Sequence, residues 1–106
     1  MRALLLFILP LSLITGCNTK VEKKLYDNGK IGSTTPVTDG RKNGIEKDYY
    51  PNGKLMAEIP YKNDTINGTK KFYSINGKLV AETIYINGVA GETKNYDENG
   101  NEIKSK

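Results

Sequence analysis

The chain contains no histidine, a single cysteine at Cys17, and beyond its first 16 residues only three serines, Ser33, Ser74 and Ser105. A hydroxyl or thiol nucleophile needs a neighbouring base, so Ser-His and Cys-His catalysis are excluded, and a His/Cys metal site with them. One cysteine permits no intramolecular disulfide. Carboxylates are never dense enough in one short run to form a calcium loop. Asp39, Asp64 and Asp97-Glu98 fall at turns, where local hydrogen bonding accounts for them. No cofactor is expected, and the chain reads as non-enzymatic.

Long apolar runs are also scarce. The one present, Ala3 to Ile14, is broken by Pro10 and follows Met1-Arg2; as a helix it is too short for about 30 Å of hydrocarbon and reads as a secretory signal. Its closing residues, Ile14-Thr15-Gly16-Cys17, resemble the bacterial lipobox, in which the cysteine sulfur is lipidated and the signal is cut just before it. That resemblance implies a signal peptide at residues 1–16, a lipidated tether at 17–19 with Cys17 as the attachment site, and a membrane-held chain from residue 20 to 106. A diacylglyceryl thioether supplies two acyl chains, enough for stable anchoring. In a host with two membranes, Asn18 after the cysteine favours the outer one by analogy with lipoprotein sorting. Nine Leu, Ile and Phe residues leave with the leader while all seven tyrosines stay, so the remainder is poorer in apolar mass than the whole chain. Such a composition fits a thin, extended sheet better than a two-layer core.

Asparagine and glycine are abundant, and they are paired. Seven of the eleven asparagines precede glycine, at Asn28, Asn43, Asn52, Asn67, Asn76, Asn87 and Asn99, where composition alone gives about one. Asn-Gly accepts φ > 0 at both positions and so points to two-residue type I′ hairpin turns. The spacings recur with a unit of 24, 24 and 23 residues. Tight turns are expected at Asn28-Gly29, Asn52-Gly53, Asn76-Gly77 and Asn99-Gly100. Connecting turns are expected around Asp39 to Gly44, Asn63 to Gly68 and Asn87 to Gly91.

Registered on the tight turns, the units share columns. Leu25, Tyr49, Tyr73 and Tyr96 stand three residues before the asparagine, and Lys23, Lys47, Lys71 and Lys94 stand five before. After it come Ile31, Leu55 and Leu79 at three, Ser33, Ala57 and Ala81 at five, and Val37, Tyr61 and Tyr85 at nine. Odd offsets mark one face of a strand. Long strands are expected at 54–62 and 78–86, with shorter ones at 45–50, 69–74 and 92–96. Pro60 lacks a ladder donor and indicates an edge or a bulge. The fold class is therefore all-β: a single-layer antiparallel β-meander of tandem hairpins, about 3.5 repeats of 23–24 residues, preceded by a cleaved signal helix.

The units Gly44 to Asp64, Gly68 to Gly88 and Gly91 to Ile103 resemble the bacterial variant of the MORN repeat. They share its opening glycine, its tyrosine-rich strand, a turn like Tyr49-Tyr50-Pro51-Asn52-Gly53-Lys54-Leu55, and the late aromatics Tyr61 and Tyr85. A degenerate first unit, Lys20 to Gly40, lacks the glycine. The resemblance implies a sheet that acts as a binding or scaffolding surface. Some bacterial members are labelled antitoxin components, which makes an antitoxin-like partner protein the alternative reading, although an export signal fits that role poorly.

The candidate interaction stripe is Lys23, Lys47, Lys71 and Lys94 with Tyr49, Tyr73 and Tyr96, projecting from one face. It is read either as a basic contact for a protein partner or an anionic envelope surface, or as lysine stems snorkelling over a thin sheet. Glu58 and Glu82 occupy equivalent positions and are candidates for a facing carboxylate pair; a solvated ladder of negative charge beside Lys62 is the simpler expectation. Export and a formal charge of only +4 for the whole chain argue against nucleic acid. The two sheet edges offer unpaired backbone to an added strand.

Overall fold

The computed structural model describes residues 18–104. The signal peptide and Cys17 lie outside the described residues. From Thr19 the chain forms ten strands: β1 (Thr19–Leu25), β2 (Ile31–Thr38), β3 (Arg41–Lys42), β4 (Gly44–Tyr49), β5 (Leu55–Lys62), β6 (Thr65–Ile66), β7 (Gly68–Tyr73), β8 (Leu79–Ile86), β9 (Val89–Tyr96) and β10 (Glu102–Ile103). They make one antiparallel sheet in the order β1-β2-β4-β5-β7-β8-β9-β10, with β3 on β2 and β6 on β5. This is the expected single-layer meander.

The turn classes differ from the expectation. At the four tight turns only the glycine is left-handed, Gly29, Gly53, Gly77 and Gly100 having φ between 86° and 90°. In the first, Gly29 N–H donates to Tyr26 O at 2.9 Å and Tyr26 N–H to Lys30 O at 2.8 Å. That is a three-residue loop closed by a glycine bulge, not a type I′ turn. Asn28 and Asn52 instead accept from the N–H two residues on, at Lys30 and Lys54, both at 2.9 Å. The pairs with positive φ at both central residues are the connecting turns Asp39-Gly40, Asn63-Asp64 and Asn87-Gly88. There Thr38 pairs with Arg41, Lys62 with Thr65 and Ile86 with Val89, leaving two-residue loops.

Asn43-Gly44 and Asn67-Gly68 are not turns. They interrupt what would be a continuous strand, separating β3 from β4 and β6 from β7, with Gly44 at φ 123° and Gly68 at φ 125°. Opposite each break stands a proline whose carbonyl accepts from the asparagine N–H: Asn43 to Pro36 and Asn67 to Pro60, both at 3.0 Å. Pro60 thus sits in an interior strand, tolerated because its neighbour bulges away from the missing donor. The third unit carries Ile84 at the equivalent position, and β9 runs unbroken through eight residues. The bulge is reduced there, and so is the unit, from 24 residues to 23.

Units are stapled to their neighbours at both ends. At the connecting-turn end, Asp64 Oδ1 accepts from Lys42 N–H at 2.7 Å while Asp64 N–H donates to Lys42 O at 2.9 Å. At the tight-turn end, Tyr26 Oη donates to Tyr49 O, and Tyr50 Oη to Tyr73 O at 2.7 Å.

The small core lies on one face, where Ala57 is 1% exposed and Val37, Ile59 and Thr35 are also buried.

Candidate functional surface

Pairing across the first three tight turns is centred on the Asn-Gly peptide and not on the asparagine, so columns at odd offsets before and after it fall on opposite faces. Ala57, Ile59 and Tyr61 line the core face, whereas Lys47 and Tyr49 belong to the other. Across that second face, Lys23 pairs with Thr34, Thr34 with Lys47, Lys47 with Glu58, Glu58 with Lys71, Lys71 with Glu82, and Glu82 with Lys94. All four stripe lysines therefore share one transverse row. The row is not uniformly basic: it reads Lys-Thr-Lys-Glu-Lys-Glu-Lys.

Adjacent members of such a row bring their Cβ atoms to about 5 Å, so each Lys71–Glu82 type step is a favourable opposite-charge pair. Glu58 and Glu82 do not face one another. Lys71 stands between them as the ladder partner of both, which removes the carboxylate-pair reading.

Two stripe tyrosines are tied into the same row. Tyr73 Oη donates to Glu58 Oε1 and Tyr96 Oη to Glu82 Oε1, each at 2.7 Å. Burial, then the hydrogen bond to Glu58, pushes the Tyr73 phenol up to about 12. For Tyr96 the bond to Glu82 is the main cause of the same rise, also to about 12. At Tyr49 the equivalent of Glu58 is Thr34, and what the structure uses is the Tyr49 carbonyl, as acceptor for Tyr26.

Beside the charged row runs an apolar one that the sequence columns do not reveal. Val21 pairs with Pro36, Ile45 with Pro60 and Thr69 with Ile84. Each lies two residues from a member of the charged row and so shares its face. Val21, Ile45 and Ile84 are 55%, 50% and 54% exposed. Ile86 and Val89, paired with each other, extend the strip to the corner. A signal for it exists in the sequence: Pro36, Pro60 and Ile84 all stand eight residues after the turn asparagine.

The perturbed carboxylates lie on the core face, outside the sequence-derived candidates. Glu46 and Asp48 stand two apart on β4. Asp48 is pushed up to about 6 by burial, then by its hydrogen bond and repulsion with Glu46. Burial would also raise Glu46, but hydrogen bonding from Asp48 and the Lys42 cation hold it below its ordinary value. Lys42 Nζ lies 3.5 Å from Glu46 Oε1 and 4.7 Å from the Tyr61 ring centroid. Cations over rings recur here, since Lys70 Nζ is 5.0 Å from the Phe72 ring. These groups satisfy one another across a sparsely covered face. Among the described residues no group of three His, Cys, Asp or Glu is placed to hold a metal.

Fold and surface together define a tandem β-repeat protein. Residues 42–63 and 66–87, its two central units, match the MORN repeat variant, a kind of repeat that generally serves in protein or membrane interaction and not in catalysis. No curated protein and no solved structure matches the chain.

Proposed function

We propose that this chain is a non-enzymatic lipoprotein of the bacterial envelope, anchored through Cys17, that offers the lysine face of its sheet to a protein partner. The observation that carries the choice of partner is the interleaving of Glu58 and Glu82 with Lys47, Lys71 and Lys94. A continuous basic stripe would draw any anionic surface. A row of alternating sign gains less from a uniformly charged one, because two of its four lysine attractions are offset by a glutamate repulsion about 5 Å away. A polypeptide can match both signs in register and cover the adjoining Val21, Ile45 and Ile84 strip, giving an apolar centre with a polar rim. The envelope placement is supported by the Ile14-Thr15-Gly16-Cys17 tetrapeptide following an apolar leader.

Two measurements test the two halves. Cys17→Ser, followed by fractionation and intact mass, should abolish lipidation and membrane association; an unchanged mass and location overturn the anchor. A photo-crosslinking residue at position 45 or 84 should give a discrete protein adduct in intact cells, and one at position 59 should not. Salt-sensitive binding to anionic vesicles without such an adduct overturns the choice of partner.

A further inference from the structure

The tyrosine staple at the tight-turn end stops one unit short. Tyr26 and Tyr50 each follow the first strand of a unit and donate to the carbonyl of the next unit's tyrosine, Tyr49 and Tyr73. The third position in this series is Ser74, and the carbonyl it should address is that of Tyr96. A serine hydroxyl is too short to reach a neighbouring hairpin. Ser74 Oγ instead accepts from the N–H groups of Asn76 and Lys78 within its own turn, both at 3.3 Å.

The place of the missing ring is open. A groove of about 300 Å³ lies there, bounded by Ser74, Lys78, Val80, Tyr96 and Glu98. Its members correspond unit for unit to an occupied site. Tyr26 rests on Gly32, where an added Cβ would meet the ring at 3.4 Å, and bonds to Tyr49 O; Val80 and Tyr96 are the equivalents of Gly32 and Tyr49. Lys78 Nζ donates to Glu98 O at 3.0 Å, holding the fourth turn against the third without filling the space between them.

We infer that this groove receives a phenolic ring from outside the chain, the tyrosine side chain of a partner polypeptide, with its hydroxyl donating to the Tyr96 carbonyl. The occupant is read from the chain itself, which places a phenol on that carbonyl in both preceding units. The groove adjoins the lysine face, since Tyr96 bonds to Glu82 of the charged row. It thus names one recognition element for the partner proposed above, and rests on that reading for the ring's source.

The test is a titration of the purified, isotope-labelled full chain with N-acetyl-tyrosinamide. Saturable shifts are expected at the amides of Ser74, Lys78, Val80, Tyr96 and Glu98, with a dissociation constant on the order of 1 mM for so small a ligand. N-acetyl-phenylalaninamide, lacking the hydroxyl, should bind about tenfold more weakly, the worth of one hydrogen bond. Ser74→Tyr should fill the groove, abolish the shifts and raise the thermal midpoint. Tyr50→Ser should open a second groove, reported by new shifts around Met56 and Tyr73. Absence of saturable shifts at the wild-type groove, or equal affinity for both probes, overturns the inference. A crosslink from position 45 that survives such a result leaves the face reading standing and removes the groove alone.

Discussion

Gly44 lies against Pro36: a β-carbon on Gly44 would come within 2.9 Å of the proline Cγ. The same relationship recurs between Gly68 and Pro60, at 3.1 Å. Proline removes a ladder donor, the facing strand bulges to avoid presenting an unmet carbonyl, and the bulge needs a backbone at φ near +125° that only glycine adopts readily. The opening glycine of each full unit is thus a consequence of the proline eight residues before it. Where Ile84 replaces proline, Gly91 has no left-handed φ and β9 is continuous.

Gly44→Ala and Gly68→Ala should each destabilise the sheet by about 1–3 kcal/mol, through backbone strain and contact with the proline ring. Pro60→Ala in the Gly68→Ala background should recover only part of the loss, because it removes the contact and leaves the strain. Denaturant unfolding of the singles and the double checks this; full recovery would assign the whole cost to the contact.

Asp48 makes stability depend on pH in an unusual direction. Its folded-state value of about 6 lies above the ordinary 3.8, so the folded chain holds this proton more tightly. The resulting stabilisation is complete below pH 3.8 and is lost as pH rises through 6. Glu46, held below its ordinary 4.5, acts oppositely and loses its contribution in acid. Thermal midpoints should therefore peak at about pH 4, decline between about pH 4.5 and 6, and level off toward 7. Asp48→Asn should flatten that decline and raise stability at pH 7 by about 1 kcal/mol, a two-unit shift discounted for partial exposure. A midpoint rising steadily from about pH 5 to 7 would contradict the assignment.

Two phenols should titrate late. Absorbance near 295 nm should show Tyr73 and Tyr96 ionising at about 12. Glu58→Gln should return Tyr73 toward the ordinary 10 and leave Tyr96 unchanged, and Glu82→Gln should affect Tyr96 more than Tyr73. If both substitutions shift both tyrosines equally, the hydrogen bonds are not the cause.

Much of this architecture is legible in the sequence because hairpins are local. The column alignment locates all four tight turns and the three connecting ones, and the long strands expected at 54–62 and 78–86 begin one residue later, at Leu55 and Leu79. What a dipeptide does not carry is loop length. Asn-Gly points to type I′ turns throughout, whereas four of the seven close three-residue loops, two sit at proline-induced bulges and only Asn87-Gly88 has the expected geometry. The bulge beside Asp48 and Tyr49 takes up the extra loop residue, so pairing stays centred on the Asn-Gly peptide and not on the asparagine, and residues five before the asparagine meet those six after it. Lys47 therefore stands opposite Glu58 and not Ala57, and columns counted from the asparagine hide the alternating row. The Ser74 groove is invisible for another reason: it is an absence, apparent only once Tyr26 and Tyr50 are seen to reach across units.

The alternating row changes what a charge-reversal experiment reports. Lys71→Glu would set three carboxylates side by side across β5, β7 and β8, because Glu58 and Glu82 flank the substituted position. Opposite-charge cross-strand pairs are worth roughly 0.2–1 kcal/mol and like charges cost a similar amount, so reversing both steps should destabilise the chain by about 1–2 kcal/mol. Loss of partner binding in that variant would confound surface chemistry with folding. The triple exchange Lys71→Glu, Glu58→Lys, Glu82→Lys restores the central steps with inverted sign but places Lys beside Lys47 and Lys94, so its stability should recover only in part. Adding Lys47→Glu and Lys94→Glu completes the inversion and should return the unfolding midpoint close to the parent, less the hydrogen bonds that Tyr73 and Tyr96 make to the glutamates. A partner that reads the pattern of charge should bind the parent and not the complete inversion. If both bind equally, the apolar strip carries recognition and the charged row serves only to order the sheet.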